Sequence, residues 1–129
     1  MSNTILEGLR DQTPAKDDRR ILNFQLEGYR VLVGKNSFSN ERIVAEHPHR
    51  GCLWFHAVAA RGSHVILCIE GLGDPPMAVL QYAASLAKKH SHSNTTSVSV
   101  SQLRDVIKPE GSGPGIWKSR KDFIIEVDE

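Results

Sequence analysis

Two histidines, His56 and His64, flank a short turn and are the residues best placed to do chemistry. Each lies on a predicted strand next to Arg61-Gly62-Ser63, so antiparallel pairing of the two strands would bring the imidazoles together. The residue types alone favour a first interpretation, in which the two imidazoles are hydrogen-bonded within the core. The second interpretation is a polar pocket beside Arg61 and Ser63 that suits a phosphate or a nucleotide.

The segment Gly34-Lys35-Asn36 follows a predicted strand and precedes a predicted helix, as a phosphate-binding loop does. Five residues separate Gly28 from Gly34, where such a loop has four, and Asn36 stands where the magnesium-binding hydroxyl should be. The segment therefore predicts no nucleoside-triphosphate site. Its free N–H groups, with Lys35 and Asn36 beside them, can still face an anion.

The other histidines and the acidic residues predict neither a metal site nor a catalytic centre. His47-x-His49 and His90-x-His92 fall in polar stretches, and the two cysteines lack CxxC spacing, whereas zinc usually takes four ligands. No pair of carboxylates lies near the histidine strands. We expect no catalytic residue, no metal and no cofactor.

Trp117 is the aromatic residue best suited to nucleic acid, because three basic residues follow it in Lys118-Ser119-Arg120-Lys121. Bases stack on aromatic rings while nearby cations contact phosphate. A tryptophan packed on an edge strand is the alternative. Trp54 and Phe55, in an apolar strand, are predicted to lie in the core.

The net charge of +1 conceals a segregation of charge along the chain. Residues 30–121 hold twelve Lys or Arg and six Asp or Glu, which gives 12 − 6 = +6, while residues 1–29 sum to −1 and residues 122–129 to −4. A local positive excess attracts phosphate. A charged fraction of 24% is also ordinary for a solvated surface.

The 129 residues suffice for one domain. Two cysteines cannot form a disulfide framework, which favours a reducing compartment. No apolar run approaches the roughly 20 residues that cross a bilayer, and the N-terminus has no secretory pattern. We expect a protein of a reducing compartment that does not contact a membrane.

The periodicity predicts an α+β domain over residues 21–129, preceded by a flexible lead-in over residues 1–20. Residues 21–33 form either two strands that turn at Glu27-Gly28 or one bent strand, and a short helix capped by Ser39 or Asn40 follows. A long helix capped by Asp74 starts at Pro75. We expect a mainly antiparallel sheet of about five to six strands, with one long helix and one or two short helices packed on one of its faces.

Several sequence blocks occur together in a recognisable order. They are Val33-Gly34-Lys35-Asn36 with Asn40-Glu41, Leu53-Trp54-Phe55-His56 with Gly62-Ser63-His64-Val65-Ile66, Pro75-Pro76 with Ala83-Ala84 and Leu86-Ala87, and Lys108-Pro109 with Gly113-Pro114-Gly115. Over roughly residues 22–128 the chain resembles the NFACT-R domain, the RNA-binding module of ribosome-quality-control factors.

The resemblance implies an α+β domain in the cytoplasm that associates with RNA (tRNA or rRNA) and with the large ribosomal subunit, without catalytic turnover. It implies a standalone, single-domain member of the family, which we expect to be a monomer. The family's polar signature falls on Lys35, Asn36, His56, Ser63 and His64. Arg61 departs from it, since the family often has proline there.

The leading hypothesis is therefore a non-catalytic RNA-binding domain. In it, His56, Ser63 and His64 shape a polar pocket and Trp117 stacks a base. The residues expected to contact phosphate are Lys35, Arg61, Lys88, Lys108, Lys118, Arg120 and Lys121. The alternatives are a small enzyme that acts on a nucleotide or nucleic acid through the His56/His64 pocket, and a protein–protein adaptor on a ribonucleoprotein.

Overall fold

The computed structural model describes residues 21–45, 52–69, 71, 73–92 and 94–127. The lead-in over residues 1–20 and the pair His47 and His49 lie outside the described residues. The strands are β1 (Ile21–Leu26), β2 (Tyr29–Gly34), β3 (Cys52–Ala57), β4 (Val65–Cys68), β5 (Ser97–Gln102), β6 (Val106–Ile107), β7 (Lys118–Ser119) and β8 (Phe123–Glu126). The helices are α1 (Ser37–Ala45) and α2 (Met77–Lys89), and a 3-10 turn covers Leu103–Asp105.

Six of these strands form one antiparallel sheet, in the order β1-β2-β4-β3-β5-β8, and β6 pairs with β7 in a second small sheet. The predicted α+β class and the antiparallel sheet are confirmed. Glu27 and Gly28 both have positive φ, at 53° and 87°, which is the conformation of a tight hairpin between twisted strands. The predicted turn between β1 and β2 is thus also confirmed.

Alternation of side chains along the strands gives the sheet two apolar faces. On the first, which we call the α2 face, Phe55, Val65 and Leu67 pack against α2. On the opposite α1 face, Trp54 and Ile66 pack with α1 and the 3-10 turn. The expectation that the helices share one sheet face is therefore wrong. A sheet whose strands are buried on both faces needs a packed element on each face.

The predicted start of the long helix also differs from the structure. Helix α2 begins at Met77, with Pro76 in the N-cap position and no side-chain cap, rather than at Pro75 behind Asp74. A residue that precedes proline is disfavoured in the helical conformation, which explains why Pro75 lies outside the helix. After β5, the 3-10 turn redirects the chain, and Val106 and Ile107 pair with β7. Neither of the helices described here is long and apolar enough to span a membrane.

Candidate nucleic-acid interface

A cavity of about 580 Å³ lies where β3 ends and β4 begins. Five parts of the chain line it, which are the end of β3 at His56, the loop into α1 with the first turn of that helix, the residues that precede β4, the residues that follow α2, and the loop of residues 113–117 before β7. We call the last of these the 113–117 loop. The site is thus a product of tertiary packing.

The base of the cavity is an aromatic cluster on the α1 face of the sheet. The β3–β4 register pairs Trp54 with Ile66 and Phe55 with Val65, and its continuation places His56 opposite His64. Their ring centroids are 4.7 Å apart in an edge-to-face arrangement, and His56 stacks on Trp54 with centroids 5.5 Å apart. The predicted proximity of the two histidines is confirmed.

One hydrogen bond holds the ring of His64 and another holds its backbone. The indole N–H of Trp54 donates to Nδ1 of His64 over 3.2 Å, and the backbone N–H of His64 donates to Oδ1 of Asn40 over 2.9 Å. Asn40 also donates from Nδ2 to the carbonyl oxygen of Gly62 over 3.3 Å. The amide of Asn40 therefore fixes the approach to β4 against α1.

Asn36 caps α1. Its Oδ1 accepts from the backbone N–H of Ser39 over 2.8 Å, while the Ser39 hydroxyl accepts from the backbone N–H of Asn36 over 2.9 Å. This reciprocal pair has the form of a capping box. The expectation that Ser39 or Asn40 caps the helix is wrong, because Ser39 occupies the third helical position instead.

On the side of the cavity formed by the residues after α2, two backbone segments approach each other closely. Gly62 forms an isolated antiparallel bridge with Ser91, and a Cβ on Gly62 would lie 2.6 Å from the Ser91 Cα. Only glycine fits there. The bridge brings His90 and His92 to the cavity beside Arg61.

The 113–117 loop is fastened by Glu41. Its Oε1 accepts from Nζ of Lys108 over 2.9 Å and from the backbone N–H of Gly115 over 2.8 Å. Nζ of Lys108 also lies 5.0 Å from the ring centroid of Trp117. Burial raises the pKa of Glu41, but the hydrogen bonds from Lys108 and Gly115 and the Lys108 charge outweigh it, so the pKa is lowered overall.

The cavity has a positive and hydrogen-bond-donating character. Its lining carries the cations of Lys35 and Arg61 and four imidazoles, and none of its described lining residues has a carboxylate. Burial, with the charges of His56 and Lys108, lowers the pKa of His64 to about 3. Burial also lowers the pKa of His56. His56 and His64 are therefore neutral near pH 7.

His90 is also neutral near pH 7. Burial, together with the charges of Lys35 and Lys89, lowers its pKa to about 4. Nδ1 of His90 lies 3.2 Å from Nζ of Lys35, so a neutral ring accepts there from the ammonium. The contact positions Lys35 at the cavity.

The structure brings seven of the predicted site residues together around this cavity. They are Lys35, Asn36, His56, Arg61, Ser63, His64 and Trp117. The other five predicted residues do not line it. They are Lys88, Lys108, Lys118, Arg120 and Lys121.

The side chains of Lys108 and Arg120 contact other residues of the protein. Besides Glu41, Lys108 donates to the carbonyl oxygens of Gly113, over 2.7 Å, and Ile116, over 3.3 Å. Arg120 lies 3.9 Å from the carboxylate of Asp105. Lys108 therefore holds the 113–117 loop by hydrogen bonds and does not itself line the cavity.

The sequence reasoning missed Asn40, Glu41, His90 and His92 as parts of this site. Asn40-Glu41 stood within a recognised block, which was the available signal for both. Nothing in the sequence links His90 and His92 to Arg61. Among the residues that the structure describes, no group of three His, Cys, Asp or Glu side chains could hold a metal ion.

The sequence model of the NFACT protein RNA binding domain matches residues 21–116. The Rqc2 homolog RqcH of Streptococcus suis is 39% identical over 100 residues, which cover 75% of this chain and 18% of that protein. The Rqc2 homolog RqcH of Bacillus subtilis is 32% identical over 106 residues, which cover 78% of this chain and 18% of that protein. The chain thus spans less than a fifth of these curated relatives.

A solved structure has the same fold. It is the C-terminal part of the fibronectin/fibrinogen-binding protein of Streptococcus suis, with a TM-score of 0.74 and 30% sequence identity. The match covers 92% of this chain and 48% of that one. The resemblance found in the sequence blocks is confirmed, and the chain belongs to the NFACT RNA-binding domain family.

Proposed function

We propose that this protein is a non-catalytic RNA-binding domain and that the cavity beside His56 and His64 is where it holds RNA. The observation that carries the proposal is the lining of the cavity, where Lys35 and Arg61 supply positive charge and no described carboxylate opposes it. Phosphate contacts from lysine and arginine supply much of the affinity of proteins for nucleic acid.

The arrangement of the donors suits a phosphate group. Lys35 is oriented by His90, and the capped N-terminus of α1, where Ser37 lines the cavity, adds the positive end of a helix dipole. Phosphate contacts by Lys88, Lys118, Arg120 and Lys121 stay a prediction, as these residues do not line the cavity. The RNA-binding unit in this proposal covers residues 21–129.

The RNA in the proposal is tRNA or rRNA, bound in the cytoplasm during ribosome quality control. Two considerations support this choice, namely membership of the NFACT RNA-binding domain family and the similarity to Rqc2 homologues. The large ribosomal subunit is the corresponding larger partner.

The geometry of the two histidines supports binding over catalysis. A general base works best with a pKa near the operating pH, whereas the pKa of His64 is about 3. Nδ1 of His64 is also occupied by the indole N–H of Trp54. We therefore propose that the pair contributes hydrogen bonds and shape.

The test is the affinity of the full chain for labelled tRNA and for a single-stranded RNA, measured by fluorescence anisotropy over a range of salt concentrations. Lys35→Gln and Arg61→Gln should each weaken binding and reduce the slope of log K against log salt by about one. Arg104→Gln is the matched control, because Arg104 is an exposed cation that does not line the cavity.

The proposal fails if the wild-type chain binds neither RNA at low salt. It also fails if Arg104→Gln weakens binding as much as Lys35→Gln and Arg61→Gln, because the cavity would then have no special part. Retention of a ribosomal protein partner after nuclease treatment, without any RNA affinity, would identify the chain as a protein–protein adaptor instead.

A further inference from the structure

The cavity has two chemically different sides. One side carries cations and hydrogen-bond donors, among them Lys35, Arg61, Ser63 and His64, while the 113–117 loop contributes the apolar side chains of Ile116 and Trp117. A charged group and a flat apolar group are thus accommodated within one volume. A simple anion would use only the first side.

Two polar side chains that line the cavity are almost fully buried. Ser63 is 5% exposed and His64 is 4% exposed. Nδ1 of His64 accepts from Trp54, so its proton lies on Nε2. The Ser63 hydroxyl and this imidazole N–H can each donate to an oxygen atom of a ligand in the cavity.

The size of the cavity limits that ligand. A volume of about 580 Å³ lies within the range of about 300–1,000 Å³ found for small-molecule sites. It admits one nucleotide and excludes a double helix. Proteins that read single-stranded RNA commonly splay out individual bases and stack them on side chains.

We propose that the cavity holds one unpaired nucleotide, with its phosphate against Lys35 and Arg61 and its base against the Ile116 side. The proposal rests on the RNA-binding function and specifies the part of the RNA that is recognised. Ser63 and His64 donate to the ribose or phosphate oxygens between the two ends. The domain therefore binds RNA at an extruded or terminal nucleotide rather than along a helix.

The test is a titration of the ¹⁵N-labelled full chain with adenosine 5′-monophosphate, with adenosine and with inorganic phosphate, followed by NMR. The nucleotide should shift the backbone amide resonances of residues 62–64 and bind at least about tenfold more tightly than adenosine or phosphate alone. It should also displace labelled RNA from the chain.

Two variants separate the two sides of the cavity. Arg61→Gln should weaken the binding of both the nucleotide and phosphate, whereas Ile116→Ser should weaken nucleotide binding and leave phosphate binding unchanged. Ile124→Ser is the matched control for the apolar side, since Ile116 is 52% exposed and Ile124, on β8, is 49% exposed. Circular dichroism verifies that each variant is folded.

Inorganic phosphate that binds as tightly as the nucleotide would overturn the proposal, because the apolar side would then be unused. RNA binding that depends on Lys35 and Arg61, but is not displaced by millimolar nucleotide, would overturn it and leave the RNA-binding function intact. Nucleotide binding without any affinity for RNA would contradict both and identify a free nucleotide as the ligand.

Discussion

The indole N–H of Trp54 donates a hydrogen bond to Nδ1 of His64 over 3.2 Å. Because Nδ1 accepts, the single proton of the neutral ring lies on Nε2. Burial, with the charges of His56 and Lys108, lowers the pKa of His64 to about 3, so the ring stays uncharged near neutral pH. Near neutral pH, the hydrogen bond from Trp54 and the burial of the ring together make His64 a neutral Nε2–H donor at the cavity.

Replacement of Trp54 by phenylalanine should abolish the tautomer preference of His64. The wild-type ring should show the Nε2–H form in long-range ¹H–¹⁵N NMR spectra, and Trp54→Phe should show a mixture and lose about 1–3 kcal/mol of unfolding free energy. Trp117→Phe is the matched control, because Nε1 of Trp117 donates no hydrogen bond of ordinary geometry to the described residues. A wild-type Nδ1–H form would contradict the assignment.

Acidification should destabilise the protein through His64. The pKa of this histidine falls from 6.5 to about 3 on folding, so the unfolded chain binds more protons between these values. Its contribution is fully present above pH 6.5 and is lost toward about pH 3, at about 1.4 kcal/mol per pH unit.

Urea unfolding of the wild type and of His64→Gln across this range measures the effect. The variant should be less stable near neutral pH, because it disrupts the contact with Trp54, but its stability should fall less steeply with acid. Identical pH slopes for the two proteins would contradict the buried, neutral state of His64.

A methyl group on Gly62 should disrupt the bridge to the segment after α2. The added Cβ would lie 2.6 Å from the Cα of Ser91, and a backbone atom cannot move aside cheaply. Gly62→Ala should lower the unfolding free energy by about 1–3 kcal/mol. Gly113→Ala, where a Cβ meets nothing within 4 Å, should change it by less than about 0.5 kcal/mol. Equal urea midpoints would contradict the close approach.

Neutralisation of Glu41 should loosen the 113–117 loop with little loss of global stability. Glu41→Gln removes the charge that pairs with Lys108 over 2.9 Å, and both side chains are partly exposed, at 28% and 31%. The expected cost is about 0.5–1 kcal/mol. The indole NMR resonance of Trp117 should shift and broaden, whereas the exposed control Glu110→Gln should leave it unchanged. An unchanged indole resonance in Glu41→Gln would show that Glu41 does not fasten the loop.

Much of the fold follows from local sequence patterns. Runs of apolar residues predicted the strands around Phe55 and Val65, and Glu27-Gly28 predicted the first hairpin. The boundary of α2 could also have been predicted, because Pro76 restrains Pro75. The placement of the helices on opposite sheet faces could not be predicted in this way. Periodicity shows which side of an element is buried, but it does not show which other element packs against that side.

The site was predictable only where its residues are close in sequence or in strand register. His56 and His64 flank one turn, so strand pairing alone brings them together. His90 and His92 reach the same cavity through the bridge between Gly62 and Ser91, which joins two distant loops. Long-range contacts of this kind leave no periodic signal in one sequence.

The residue types on which the proposed function rests can be recognised in the sequence, namely a positive central region, the His56/His64 pair and the blocks shared with a known family. Which cations lie close together depends on the tertiary structure. It placed Lys35 and Arg61 at one cavity, and it directed Lys108 to Glu41 and Arg120 toward Asp105. The physical reason is that charge belongs to each residue, whereas the electrostatic field at a site depends on distances between residues that only packing sets.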